Sequence, residues 1–115
     1  MENTLKNTNL DLTQKFQNAE QMWFWFLYSK SIQNGFRKQS CVHRPCEILD
    51  VETLITKLFL SGKLTEEQLL VMKKFGDKKR APHQYIYSEN RAAALWNSAM
   101  QIIGDVARKN GWIEE

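Results

Sequence analysis

The stretch that decides the fold is residues 50–83, DVETLITKLFLSGKLTEEQLLVMKKFGDKKRAPH. Two runs with apolar residues at steps of three and four are separated by Ser61-Gly62, and clustered basic residues follow the second run. Such steps place apolar side chains on one face of a helix. Glycine ends a helix because it adopts the left-handed conformation without steric strain. The stretch therefore predicts two helices joined by a tight turn, with a basic segment behind them.

Capping residues indicate where these two helices begin and end. Asp50 is predicted as the N-cap of the first helix, because its carboxylate can accept backbone N–H bonds from the first turn. Thr65 and Gln68 fit a capping box at the start of the second helix. Gly62 and Gly76 are predicted to close the first and the second helix, respectively.

Two further helices are predicted on either side of this hairpin. Apolar repeats favour one helix over residues 11–34 and another over residues 88–110, with Gly111 as the cap of the latter. No stretch has a convincing strand pattern. We therefore expect an all-α fold, a single-domain bundle of about four helices with a helix-turn-helix-like central hairpin, in residues 11–115. Residues 1–10 are expected to form a flexible N-terminal segment.

Composition indicates a soluble globular protein. The chain has 115 residues, of which 43% are hydrophobic and 25% charged, and its net charge is +3, which fits one domain with a single core. The opening MENTLKNTNLDLTQ is polar and lacks the apolar core of a secretory signal. The most apolar run, residues 22–28, is far shorter than the roughly 20 residues that a membrane span requires. We expect a cytoplasmic protein that does not enter a membrane, with both cysteines reduced.

Positive charge is clustered in the chain rather than large in total. Basic side chains are concentrated in and just after the second helix of the hairpin and in the loop that precedes the hairpin. Clustering of this kind is typical of nucleic-acid-binding surfaces, and it is also common on solvated helices. The candidate phosphate-binding residues are Lys73, Lys74, Lys78, Lys79, Arg80, Arg37, Lys38 and Arg44.

One short segment carries side chains that could hold a metal ion. Cys41, His43 and Cys46 lie within six residues, and His83 could add a fourth ligand. Structural zinc sites usually place their ligands in close pairs such as CxxC, and the spacing here departs from that pattern. Cys41 and His43 also lack an identifiable third group that would orient them for nucleophilic catalysis. We expect no metal, cofactor, small-molecule substrate or catalytic residue, and Cys46 is expected to pack as a small apolar side chain.

The aromatic run MWFWFLY, residues 22–28, allows two interpretations. As core, it anchors the bundle. Because one helix presents only one face to a small core, we expect part of the run to remain uncovered, namely Phe24, Trp25 and Tyr28. Aromatic side chains are enriched at buried interfaces, so these three residues predict a homodimer. Base stacking on the run is less favoured, since only Lys30 is nearby as a positive charge.

The segment LTEEQLLVMKKFG, residues 64–76, resembles the opening of the DNA-binding domains of sigma-factor region four and of related response-regulator output domains. That resemblance implies a helix-turn-helix, in which a short recognition helix follows at once. Here the following stretch is DKKRAPHQYIYSEN, which contains Pro82. Alternatively, the first helix of the hairpin supports the second, which reads the DNA. The exposed face predicted for that second helix has no Arg, Asn or second Gln for reading bases.

The chain as a whole resembles a group of small alphaproteobacterial proteins. The resemblance is carried by AEQMWFWF at residues 19–26, by RPCE at residues 44–47 and by the basic helical hairpin. It implies no activity and assigns no functional residue.

The sequence thus leads to two functional hypotheses. The first is a small DNA-associated, transcription-regulator-like protein that docks on the phosphates of duplex DNA through its basic helix-loop segment. The second is a non-enzymatic protein–protein interaction adaptor, which would use the aromatic helix surface and carry its lysines for solubility.

Overall fold

A computed structural model describes residues 13–35 and 44–114, and four α-helices account for most of them. These are α1 (Ala19–Gly35), α2 (Ile48–Leu60), α3 (Glu66–Lys78) and α4 (Asn90–Lys109), with a short 3₁₀ turn at Tyr87–Glu89 before α4. The predicted all-α bundle is confirmed. The segment predicted to be flexible, residues 1–10, lies outside the described residues.

Helix α1 holds the bundle together, because it packs against each of the other three helices. Helix α3 packs mainly on α4, whereas α2 packs mainly on α1. The two helices of the hairpin therefore rest chiefly on the rest of the bundle rather than on each other. Their inward side chains meet α1 and α4 in one core, which includes Met22, Trp23, Met72, Trp96 and Ile103.

The start of α1 differs from its prediction. The helix begins at Ala19 rather than near Asp11, because the Asn18 side chain accepts the backbone N–H of Gln21 at 2.8 Å and caps the first turn. Before it, Phe16 is extended and fully buried. Its N–H donates to the Trp112 carbonyl at 2.9 Å, and its carbonyl accepts from Glu114 N at 2.8 Å, which gives an isolated parallel bridge to Ile113.

The start of α2 also differs. Glu47, and not Asp50, is the N-cap of this helix. Asp50 lies three residues further on and reaches back, so that its carboxylate accepts the Glu47 N–H at 2.8 Å. The Asp50 carboxylate therefore helps to cap the helix from the third helical position. It accepts the N–H of the N-cap residue rather than an N–H of the first turn.

The predicted capping box of α3 is confirmed. Thr65 Oγ1 accepts the Gln68 N–H at 3.1 Å, and Gln68 Oε1 accepts the Thr65 N–H at 2.9 Å. The Gln68 amide also donates to Ser98 Oγ on α4 at 2.7 Å. The cap thus ties the start of α3 to α4, which explains why a glutamine side chain is buried here.

Gly76 does not end α3, contrary to the prediction, because the helix continues to Lys78. This glycine is buried inside the bundle. A Cβ at position 76 would overlap Leu27 Cδ1 and lie 3.0 Å from Trp23 Nε1. Glycine stands here because α1 approaches the backbone of α3 closely, and not because the helix has to stop.

Three helices end with the same pair of backbone hydrogen bonds. In each Schellman motif one residue adopts the left-handed conformation, and the next N–H reaches the carbonyl five residues back. That residue is Gly62 after α2, with φ 84°, and Gly111 after α4, with φ 82°. After α3 it is Lys79, with φ 62°. Lys79 is the one non-glycine residue with positive φ in the described part of the chain.

Helix α4 matches its prediction apart from its first turn. The predicted start at Ser88 falls in the 3₁₀ turn, and regular helix begins at Asn90. Trp96 is fully buried, and its Nε1 donates to Glu20 on α1 at 2.8 Å. After Gly111 the chain turns back, and Ile113 is fully buried beside Phe16. Among the described residues, no helix is both long enough and apolar enough to cross a bilayer.

Candidate nucleic-acid interface

Five of the eight predicted phosphate-binding side chains lie in the last turns of α3 or directly after it, and all five are exposed. They are Lys73, Lys74 and Lys78 in the helix, and Lys79 and Arg80 after it. Lys73 lies 3.4 Å from Asp77, one turn along the helix, in a pair that is open to solvent. Such surface pairs contribute little. The ammonium groups of Lys74 and Lys78 lie 5.7 Å and 5.1 Å from the centroid of the Phe75 ring. Their aliphatic stems can cover this buried ring while their charges stay in water.

Lys79 is exposed at the point where the helix turns away. Its left-handed backbone is unfavourable for a side chain with a Cβ, which is why glycine takes the equivalent place after α2 and α4. Among the described residues, no carboxylate lies within 4.0 Å of the ammonium groups of Lys74, Lys78 or Lys79. These three lysines thus carry positive charge without a salt bridge over a little more than one helical turn, although the charge of Lys78 also acts on the Glu89 carboxylate.

Arg80 is held differently from the lysines. Its guanidinium donates two hydrogen bonds to Glu89, at 3.0 Å and 2.6 Å, and lies 5.5 Å from the Phe75 ring centroid. Paired arginine–carboxylate bonds of this kind are strong and directional. The bond to Arg80 and a second one from the His83 N–H lower the pKa of Glu89 from 4.5 to about 2. Arg80 is thus a structural residue first, and its charge is largely neutralised.

The loop between α3 and α4 is anchored at the start of α4. Glu89 accepts the His83 N–H at 2.8 Å, in addition to the Arg80 guanidinium. Asn90 Nδ2 donates to the Gln84 carbonyl at 3.0 Å. After these attachments the chain exposes Tyr85, and then Tyr87 as the first residue of the 3₁₀ turn, with 83% and 96% of their surface accessible.

The remaining predicted phosphate contacts do not join this surface in the described structure. Arg37 and Lys38 lie outside the described residues. Arg44 packs over the Phe16 ring at 4.6 Å, and its guanidinium donates to the Gln14 carbonyl at 3.2 Å. It thereby fastens the start of α2 to the extended segment before α1. This position makes Arg44 a packing residue of that corner of the bundle.

The aromatic side chains predicted at an interface are mostly covered within the chain. The Phe24 ring is half-buried at 5.7 Å from Trp96, and the Trp25 ring is half-buried at 5.1 Å from Phe16. Tyr28 is the exposed member of the three, at 59%. The surplus of aromatic surface on α1 is therefore smaller than the sequence suggested.

The candidate metal segment is only partly described, since Cys41 and His43 fall outside the described residues. Cys46 is buried, as expected of a small apolar residue. Burial, with a smaller effect from the Asp50 carboxylate, raises the pKa of its thiol to about 12. His83 lies in the loop before α4, where its Nδ1 accepts the Tyr85 N–H at 3.2 Å. Among the described residues, no cluster of three or more His, Cys, Asp or Glu side chains could hold a metal ion.

The exposed face of α3 has the composition expected from the sequence. Glu66, Glu67 and Leu70 point to solvent, and Glu67 forms a salt bridge with Arg91 at 3.0 Å. Carboxylates at the start of the helix would repel a DNA backbone. The positive charge of α3 is therefore confined to its last two turns and to Lys79.

A second surface feature is a shallow, open depression of about 440 Å³ between α2 and α4. Five apolar residues and four polar ones line it, namely Leu49, Leu54, Leu58, Val106 and Trp112 with Asp50, Thr53, Lys57 and Asn110.

Sequence reasoning missed three residues of this surface. These are Tyr85, Tyr87 and Glu89, none of which was predicted to belong to a binding site. The alternation in Tyr85-Ile86-Tyr87 directly after a basic run was the available signal. The role of Glu89 depends on the turn that brings it back to Arg80 and His83, and no local pattern shows that contact.

Comparison of the chain with protein-family models, with curated proteins and with solved structures finds no match.

Proposed function

We propose that this protein is a non-enzymatic nucleic-acid-binding protein. It docks on phosphate groups through a basic surface formed by Lys74, Lys78 and Lys79, which we call the lysine surface. Lys73 lies beside it, and Arg80 supports it from within by bridging Phe75 and Glu89. The proposal keeps the docking segment that the sequence indicated and assigns the phosphate contacts to its lysines.

The backbone of Lys79 is the observation that carries this proposal. The same motif ends α2 and α4 with glycine, and a glycine after α3 would relieve about 1 kcal/mol of strain. Residues in unfavourable backbone conformations tend to occur where function requires them. A positive charge at this position projects beyond the end of the helix, where a polyanion can approach it.

The lysine surface favours electrostatic docking over sequence reading. Lysine is a compact point charge that suits single phosphate contacts. Specific base contacts usually come from Arg, Asn or Gln at the groove, and α3 exposes Glu66, Glu67 and Leu70 instead. We therefore propose binding with little sequence preference from this helix.

The experiment is a salt titration of binding to labelled 20-nucleotide DNA, both as a duplex and as a single strand. The Lys74→Ala/Lys78→Ala variant should bind several-fold more weakly at 50 mM salt. Its log–log salt slope should be smaller by about 1.8, since each phosphate contact contributes about 0.9 on duplex DNA. The matched control is Lys57→Ala/Lys109→Ala, which removes the same charge from exposed positions on α2 and α4. Equal weakening by both variants, or no binding by the unaltered protein at 50 mM salt, would refute the proposal.

A single substitution separates charge from stability at the left-handed position. Lys79→Gly should raise the free energy of unfolding by about 0.5–1 kcal/mol and at the same time weaken DNA binding. A loss of binding with a gain in stability cannot come from damage to the fold. A Lys79→Gly protein that bound DNA as well as the unaltered one would show that the strained lysine has no part in docking.

The adaptor and homodimer hypotheses rest on one exposed aromatic residue of α1. Tyr28 is open to solvent, while Phe24 and Trp25 have partners within the chain. If α1 does form a dimer, light scattering of the purified protein should give twice the mass of the chain, and Tyr28→Ala should reduce that mass to the monomer value. A monomeric mass for the unaltered protein at about 100 μM would exclude the homodimer.

A further inference from the structure

Three consecutive large side chains stand exposed next to the lysine surface. Tyr85, Ile86 and Tyr87 have 83%, 43% and 96% of their surface accessible, although the fold buries five tryptophan and phenylalanine rings in its core. Single exposed apolar residues are common on proteins and need no explanation. Here, by contrast, two almost fully exposed aromatic rings lie two residues apart. They follow, by a few residues, three lysines that form no salt bridge, and this combination differs from single exposed residues.

The loop that carries these tyrosines is held in place from both ends. Glu89 binds Arg80 and His83 before the tyrosines, and Asn90 binds the Gln84 carbonyl. The backbone also turns back on itself, with the Ile86 N–H donating to the His83 carbonyl at 3.1 Å. Arg80, His83 and Gln84 are thus held by the side chains of Glu89, in the 3₁₀ turn, and Asn90, at the start of α4. Exposed rings on a fixed loop lose little freedom when they bind a partner.

The positive charge that precedes the exposed rings in the same segment indicates the kind of partner. Arg80 is the link, because it follows Lys79 directly and is bonded to Glu89, which also holds the loop at His83. The lysine surface and the tyrosines are therefore two parts of one anchored segment, residues 74–87. Proteins that bind single strands combine positive charge along the backbone with aromatic rings on which bases stack.

We propose that the segment binds single-stranded nucleic acid, with bases stacked on Tyr85 and Tyr87 and phosphates on Lys78 and Lys79. This inference rests on the proposed function and narrows its ligand. A duplex could engage the lysines but keeps its base faces stacked on one another, so both tyrosines would stay in water. Every base has a π face, and stacking therefore adds affinity without demanding a particular sequence.

The test measures binding of the full chain to fluorescein-labelled dT20 and to a 20-base-pair duplex at the same salt concentration. The unaltered protein should bind dT20 more tightly than the duplex. Tyr85→Ala and Tyr87→Ala should each weaken dT20 binding by about 5- to 100-fold, the range found when a stacking ring is removed. Both should leave duplex binding unchanged. Tyr87→Phe should bind like the unaltered protein, because it keeps the ring and loses only the hydroxyl.

Leu60→Ala is the control, since it removes another largely exposed apolar side chain, on α2, that belongs to none of the proposed interfaces. It should leave dT20 affinity unchanged, and an equal loss in this variant would refute stacking at the loop. Circular dichroism and thermal unfolding of each variant establish that the fold is retained, as expected for side chains this exposed.

The remaining outcomes separate this inference from the proposed function. Equal affinity for dT20 and duplex, with the lysine variants weakened and the tyrosine variants unchanged, overturns base stacking and leaves phosphate docking standing. Absence of binding to either oligonucleotide overturns both proposals together. Weakening by Tyr87→Phe as large as that by Tyr87→Ala would also overturn stacking, because the hydroxyl rather than the ring would then make the contact.

Discussion

Two residues near the end of α3, Gly76 and Lys79, depart from the local preferences of the backbone. Gly76 lies inside the helix, where glycine is normally unfavourable, because Leu27 and Trp23 of α1 leave no room for a Cβ. Trp23 is itself fixed there by the bond from its Nε1 to the Met72 carbonyl, at 2.9 Å. Three residues later, Lys79 occupies a position that favours glycine. Gly76 allows α1 to pack closely on α3, whereas Lys79 places a positive charge just after α3.

The close approach of α1 to Gly76 can be tested against a second helical glycine. Gly76→Ala should lower the free energy of unfolding by about 1–3 kcal/mol, because overpacking outweighs the gain in helix propensity. Gly104→Ala is the control, since its Cβ would meet Ala19 Cβ at an ordinary 3.5 Å. It should stabilise the protein by up to about 1 kcal/mol. Urea unfolding measures both, and stabilisation by Gly76→Ala would contradict the described packing.

Cys46 should react slowly while the protein is folded. Its raised thiol pKa of about 12, against an ordinary value of 9.0, leaves about 1,000-fold less thiolate at pH 8, and the thiolate is the reactive form. In a Cys41→Ser variant, where Cys46 is the only cysteine, iodoacetamide should label the folded protein at a correspondingly low rate. Labelling in 6 M guanidinium should occur at the rate of a free peptide. Similar rates in the two conditions would be inconsistent with burial of this thiol.

At the scale of elements, Glu89 acts as the organising residue of the α3–α4 connection. It stands at the end of the 3₁₀ turn and binds both the residue that leaves α3 and the loop that follows. Phe75 supports the same connection from the core side, with Arg80 lying across its ring. The loop is therefore a fixed part of the fold.

This connection should make stability depend on pH in acid. The folded pKa of Glu89 is about 2, below its ordinary 4.5, so its ionised form stabilises the fold fully above about pH 4.5. That contribution declines as the pH falls towards 2. The free energy of unfolding of the unaltered protein should exceed that of Glu89→Gln at pH 6, and the difference should shrink between pH 4.5 and pH 2. Glu66→Gln, which changes an exposed carboxylate of α3, should show no such convergence. A difference that stays constant with pH would contradict the bonded carboxylate.

The helices could be predicted from sequence better than their ends. The capping box of α3 was predictable because both of its hydrogen bonds are local. The start of α2 was misplaced by three residues, since an aspartate at the start of a helix can be the N-cap or can lie three residues later and accept the N-cap N–H, as Asp50 does from Glu47. The predicted end of α3 was wrong, because the glycine at position 76 leaves room for Leu27 and Trp23 of α1 and does not end the helix. Periodicity predicts which face of a helix is buried, but not which backbone another helix will approach.

At the scale of the whole molecule, the described chain is closed by its two ends. Phe16 and Ile113 lie side by side, both fully buried, with backbone bonds on either side of the contact. Arg44 covers the Phe16 ring from the start of α2. The local pattern predicted Gly111 as the cap of α4, and Gly111 has the left-handed backbone of such a cap. The partner of the returning segment could not be predicted, because an isolated bridge leaves no repeating pattern.

Removal of Ile113 should therefore destabilise more than its position suggests. Ile113→Ala should lower the free energy of unfolding by about 2–4 kcal/mol, as for other fully buried aliphatic side chains. Leu60→Ala, at a position with 76% of its surface exposed, should change it by less than about 0.5 kcal/mol. Chemical denaturation followed by tryptophan fluorescence compares the two. Equal effects would show that the closing contact is not formed in solution.

In the candidate site, too, the sequence predicts the features that depend on neighbouring residues, but not those that depend on contacts across the bundle. Clustering predicted the lysines, because neighbours in a helix are neighbours in sequence. The involvement of Arg44 in packing and the coverage of Phe24 and Trp25 depend on contacts with Phe16 and Trp96 across the bundle. Exposure of Tyr85 and Tyr87 follows from where Glu89 and Asn90 hold the loop.

The bridge between Phe16 and Ile113 has a consequence for synthesis on the ribosome. Helices α1, α2 and α3 leave the exit tunnel before the segment that contains Ile113, which packs against Phe16 next to α1. Until Ile113 has emerged, only Trp25 and Arg44 among the described residues can cover the Phe16 ring, and contacts between residues so distant in sequence form late. A nascent chain stalled with Ile113 inside the tunnel should be sensitive to protease near Phe16, and extension of the chain until Ile113 lies outside the tunnel should protect it.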